Sequence, residues 1–147
     1  MKKTVLILLV LSLIAVSNAQ ASDNKFMMPI AAAMAANDAP TRLGDTVKFY
    51  FGNQPTPKVI KKLGSDTTSQ KTNAFAKSNE KACNWVFLSD MLSLQRRAKE
   101  LGANAVVNIV SNYDHVENSS ETEFECHVGA IMAGVAFKAD FVTIADQ

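Results

Sequence analysis

The chain has 147 residues, 48% hydrophobic and 20% charged, with 15 basic and 14 acidic side chains and a formal net charge of +1. That length suits one domain with a real core. The near-balanced charge argues against nucleic-acid binding, which calls for a basic face and a positive surplus.

Residues 1–21 read as a secretory signal peptide. Lys2 and Lys3 precede an apolar run from Val5 to Val16 broken only by Ser12, and small residues follow at Ser17, Ala19 and Ala21. A charged start, an apolar middle and a small-residue end are the three parts of such a signal, with cleavage expected after Ala19 or Ala21. The run is shorter than the about 20 apolar residues that a membrane-spanning helix needs. No cysteine follows either cleavage point and no later apolar stretch is long enough to span, so neither a lipid anchor nor a membrane span is expected. Lys2 and Lys3 leave with the signal, which moves the net charge to about −1. The expectation is a soluble periplasmic protein whose residues 22–147 form a single domain.

Residues 26–30 look extended, with Pro29 disfavouring a central sheet position. Residues 31–36 suit a short helical turn, ended by Asn37, Asp38, Ala39 and Pro40. Residues 46–51 alternate as a strand, with Val47, Phe49 and Phe51 on one face. Gly52, Pro55 and Pro57 mark a turn or loop. The cluster Lys58, Lys61 and Lys62 reads as a solvated loop. Residues 64–72 are polar, an edge strand or a loop.

A long helix is expected over residues 78–101. Ser78 suits the N-cap, Glu80 the first turn, and Arg96, Arg97 and Lys99 the far end, with Gly102 as the terminating glycine. At about 100° per residue, Cys83, Phe87, Met91, Leu94, Ala98 and Leu101 form one stripe, the face a core-packing helix buries. Trp85, Leu88 and Leu92 lie about 120–180° away from it. They are either covered by residues 26–30 or a partner surface, with Trp85 as anchor. Residues 105–110 are apolar on both faces and suit a central strand covered on both sides. Residues 112–120 are a polar connection. The last strand is expected from Glu121 through Phe137, with Gly129 and Gly134 inside it as a bulge, a bend or a close backbone approach.

Cys83 and Cys126 are the only cysteines. An exported chain with an even count invites a disulfide. Phe124, Cys126 and Val128 alternate with Glu123, Glu125 and His127, so both cysteines sit on inward faces and a helix packed on that strand brings them together. Closing a loop of about 40 residues stabilises by roughly 3–4 kcal/mol in the chain-entropy model. Two buried free thiols and a redox pair are the competing readings, although a redox pair favours Cys-x-x-Cys. Metal binding by Cys83, Cys126 and His127 is disfavoured because His127 faces away from Cys126 and zinc takes about four ligands. His127, Glu123 and Glu125 share what reads as a solvent face and are the weak metal candidates.

No catalytic motif assembles. His115 and His127 lie in no His-Glu-x-x-His frame. Residues 64–72 faintly resemble a phosphate-binding loop, but the second glycine is missing and Lys71 comes one place late, with Gln70 where the lysine belongs. Asp45, Asp90 and Glu100 are scattered. No catalytic residue and no cofactor is expected.

The stretch from Leu94 through Leu101, Gly102, Ala103, Asn104, Ala105, Val106 and Val107 to Ile109 resembles the helix–strand unit of small bacterial YbjQ-like proteins. It is also similar to part of the outer-membrane sensor lipoprotein of the Rcs envelope-stress relay. With Lys48 to Gly52, Ala82 to Leu88 and Glu125 to His127, the mature chain resembles a group of uncharacterised exported proteobacterial proteins, some labelled excinuclease ATPase subunits. The resemblance implies an α+β fold, one long helix packed on a small mixed β-sheet. It also implies a place in the envelope, and YbjQ-like proteins bring an association with heavy-metal binding and ring oligomers. The expected function is a non-enzymatic periplasmic binding or adaptor domain with an envelope protein partner. The alternative is a small-molecule or metal-ion binder with a pocket between helix and sheet.

Overall fold

A computed structural model describes residues 23–146. The expected signal peptide and both expected cleavage points lie outside the described residues. The elements are β1 (Asn24–Pro29), α1 (Ile30–Ala35), α2 (Ala39–Leu43), β2 (Lys48–Phe51), β3 (Val59–Asn73), α3 (Asn79–Leu101), β4 (Ala105–Ser111), β5 (Glu123–Val128) and β6 (Met132–Ile144). A single 3-10 turn, Tyr113–His115, sits in the connection between β4 and β5. Among the described residues no helix is long and apolar enough to cross a membrane.

The helix α3 forms where its capping residues place it. The Lys81 N–H donates to the Ser78 hydroxyl at 3.1 Å, and Gly102 closes the other end in the left-handed region at φ +73°. Its apolar stripe is the buried one: Cys83, Phe87, Met91, Leu94 and Ala98 are inside, with Leu101 half-buried. That stripe packs on β6 and β3.

The six strands make one curled mixed sheet, a half-barrel, in the order β1-β5-β6-β4-β2, with β3 on the other side of β6. Only β2 and β4 run parallel. The long β6 organises the sheet. It pairs with β3 from Asn73↔Met132 to Val59↔Ile144 on one side, and with β5 and then β4 on the other. As its two-sided composition predicts, β4 is central: Val106 and Ile109 join the core under α3, while Ala105 and Val107 join a smaller cluster with Val142, Ile144 and Tyr50.

Three expectations need correction. The expected strand over residues 121–137 is two strands, because residues 129–131 turn the chain back and the Gly129 N–H donates to the Met132 carbonyl at 2.8 Å. Gly134 is the close approach among its three alternatives: a Cβ there would stand 3.3 Å from the Tyr113 ring. Residues 59–73, partly read as a solvated lysine loop, form a 15-residue edge strand. Their polar character reflects an edge with little to bury, since Thr68 alone among them is buried, and edge lysines discourage pairing with other chains. Finally, Pro40 opens α2 rather than breaking structure, the use a proline has in a first helical turn.

The core centres on aromatic rings. Phe87 of α3 lies 4.6 Å from Phe124 of β5 and 5.8 Å, edge-on, from Phe137 of β6, centroid to centroid. Beside them Cys83 and Cys126 are joined, with Sγ–Sγ 2.06 Å and Cα–Cα 5.9 Å, and both are fully buried. The disulfide ties α3 to β5, and neither sulfur is a free thiol. One group breaks the apolar pattern. Asp90 of α3 has no exposed surface; Thr68 Oγ1 donates to its Oδ1 at 2.9 Å, and Oδ2 has no partner among the described residues. Burial pushes its pKa up to about 8, against the opposing hydrogen bond from Thr68.

Gly52 ends β2 at φ +54°, where a Cβ would meet the Ser120 carbonyl oxygen at 3.0 Å. A Gly52→Ala variant combines left-handed strain with that contact. It is expected to lose about 2 kcal/mol of stability in urea unfolding. An unchanged midpoint would show that the 119–120 backbone yields freely.

Candidate functional site

The polar residues on the outer face of β5 form a connected cluster. Strand alternation sends His127 to the face opposite Cys126, as the sequence predicts. That face is not open to solvent, which corrects the expectation for Glu125 and His127. Glu125 is buried and His127 half-buried, because the connection after β4 folds over them. Ser111 and Asn118 pair to close that connection, and the Tyr113 ring lies parallel to the His127 ring with centroids 3.6 Å apart. Lys25 and Asp23, in and just before β1, approach from the other side.

His127 stands between two carboxylates. Its Nδ1 is 3.0 Å from Asp23 Oδ2 and its Nε2 is 2.5 Å from Glu125 Oε1. A neutral imidazole donates from one nitrogen only, so both contacts are hydrogen bonds when the ring is imidazolium. Burial pushes the Glu125 pKa up, but hydrogen bonds from His127, Lys25 and Asn118 and the Lys25 charge outweigh it and hold the carboxyl below its usual value. The Tyr113 hydroxyl is shifted the other way, by burial first and then by the charges of Asp23, Asp114 and Glu125.

This arrangement suits a structural clamp better than a reactive centre or a metal site. Both ring nitrogens are occupied, and the two carboxylates sit on opposite sides of the ring rather than around one point. Glu123, exposed at the start of β5, makes no hydrogen bond or ion pair with His127 or Glu125 among the described residues. No group of three or more His, Cys, Asp or Glu there is arranged to hold a metal ion. Core side chains occupy the middle of the space between α3 and the sheet, and a cleft of about 150 Å³ remains at its edge, between Asp66 and Thr67 of β3 and Arg96, Arg97 and Glu100 of α3. A wider cleft of about 460 Å³ opens on the far face of the sheet. Its Asp140 is already held by Ser65, Asn108 and Lys62.

The stripe Trp85, Leu88 and Leu92 divides. Leu88 is buried at 1% exposure and belongs to the core, whereas Trp85 and Leu92 are half-buried at its margin. The short helices α1 and α2 pack against α3, so the N-terminal segment covers α3 through these two helices. Trp85 and Leu92 flank the exposed Ser89, whose hydroxyl donates to the Trp85 carbonyl at 3.1 Å.

One exposed apolar surface carried no signal in the sequence. Phe75, Ile131 and Met132 gather where β3 and β6 end side by side. Phe75 is distant in sequence from the adjacent pair Ile131 and Met132, and a single apolar residue such as Phe75 in a polar turn is unremarkable on its own. Only the β3–β6 register brings Phe75 to that pair.

No family model, curated protein or solved structure matches the chain.

Proposed function

We propose that the mature chain is a non-enzymatic binding domain of the bacterial envelope, an adaptor that acts through a protein partner. The observation that carries this reading is how the polar groups are used. His127 is bound at both ring nitrogens, and Glu125 and Asp140 each take several partners from this chain, so little chemistry is left for a substrate. Apolar side chains, by contrast, remain partly uncovered, and such surface marks interaction sites. The apolar start of the chain supports export, and a buried disulfide suits an oxidising compartment. The resemblance to the envelope-stress sensor lipoprotein supports a place in envelope stress.

The partner surface of this reading is the outer side of α3 at Trp85 and Leu92. A photo-crosslinking amino acid at exposed Ser89, between them, is expected to trap one dominant envelope protein in living cells, identified by mass spectrometry. Trp85→Ala should abolish the adduct while the protein still folds. A diffuse set of weak adducts, the same with Trp85→Ala, would count against the reading.

A further inference from the structure

We propose that the end of the molecule formed by residues 71–77 and 129–132 docks on an anionic lipid headgroup layer. There the two longest strands finish together. Asn73 pairs with Met132, and the Ala74 N–H donates to the Ile131 carbonyl at 2.8 Å, so two turns project as one unit. The turn bearing Phe75 is pinned: the Phe75 N–H donates to Asn73 Oδ1 at 2.7 Å, and Lys77 Nζ donates to the Asn73 carbonyl at 2.7 Å. At the apex Phe75 is 69% exposed, Ile131 61% and Met132 41%.

The charge around this apex is mainly positive: Asp23, in the cleft with Lys71 and Met132, is held by His127. Lys71, Lys77 and Lys81 flank Phe75, with Glu80 the single acid between residues 71 and 81. No acidic residue lies between His127 and Gly134. Protruding apolar side chains flanked by lysines match a negatively charged interface, where the chains enter the headgroup boundary and the lysines face the lipid phosphates. A stable protein interface covers about 800 Å² per partner, far more than three side chains supply. A bilayer takes up protruding residues singly and adds attraction over a Debye length of about 8 Å at physiological salt. The inference goes beyond the adaptor reading and does not depend on the Trp85 face.

The test is sedimentation of the mature, disulfide-bonded protein with vesicles of phosphatidylglycerol and phosphatidylethanolamine, against vesicles of phosphatidylcholine. Binding to the anionic vesicles is expected to be about tenfold stronger and to weaken with added salt. It should fall about tenfold in Phe75→Ser/Ile131→Ser, and similarly in Lys71→Glu/Lys77→Glu. Circular dichroism and melting confirm that these surface variants fold. No binding to the anionic vesicles would overturn the proposal, as would binding that survives Phe75→Ser/Ile131→Ser. So would a concentration-dependent dimer that the same double variant abolishes, since a second copy would then occupy the apex.

Discussion

Replacing both cysteines, as Cys83→Ala/Cys126→Ala, is expected to lower the unfolding free energy by about 4 kcal/mol. The bond closes a sequence separation of 43 residues, from the second turn of α3 to the middle of β5. Without it the unfolded chain regains that loop's freedom, which is where the chain-entropy model places most of a disulfide's effect. Both residues are fully buried, so the variant also loses packing beside Phe87 and Phe124. For a domain of this size the melting temperature should fall by roughly 10–20 °C. Differential scanning calorimetry of the variant, and of the wild type with reductant, checks it. A shift under about 3 °C would mean that the unfolded chain already holds α3 near β5.

The second large effect is a dependence on pH from one carboxyl. Asp90 has a folded pKa near 8 against an ordinary 3.8, because burial penalises its charge. Below pH 4 it is protonated in both folded and unfolded states. Between pH 4 and 8 the unfolded state releases the proton and the folded state keeps it, so stability falls as pH rises, at about 1.4 kcal/mol per unit. The loss is complete above pH 8 and reaches up to roughly 5 kcal/mol, a large share of a typical domain's stability. Asp90→Asn removes the titration while keeping an acceptor for Thr68. The variant is expected to gain on the wild type steadily from pH 5 to pH 8 in urea unfolding. Its new amide N–H lacks an acceptor at the former Oδ2, so it starts out less stable at pH 5. A stability difference that does not change with pH would show that Asp90 is ionised throughout, with water at Oδ2.

Asp90 also illustrates where sequence reading stops. Its position on α3 is plain from periodicity, yet that same periodicity gives no sign of the Thr68 hydroxyl opposite, because the contact crosses from helix to edge strand. Glu125 is similar. Alternation places it with His127 on the face away from Cys126, and such a face reads as solvent. The Tyr113 ring and Asn118 come from a loop whose path local preference does not encode, and they turn that face into an interior. Strand character runs through Gly129, because the residues on both sides of it suit a strand. The distinction between a bulge and a reversal lies in which strands pair.

Local chemistry accounts for α3 from Ser78 to Gly102, the inward stripe with Cys83, the alternation that sets Cys126 against it, and the central place of β4. These follow from capping chemistry and side-chain periods, which act within a few residues. Long-range packing set the rest. It paired β3 with β6 although β3 is polar, divided the Trp85 stripe between core and surface, and closed His127 between Asp23 and Glu125. It also brought Phe75 beside Ile131 and Met132. Each depends on residues far apart in the chain, where the free energy of burial and of backbone pairing outweighs local preference.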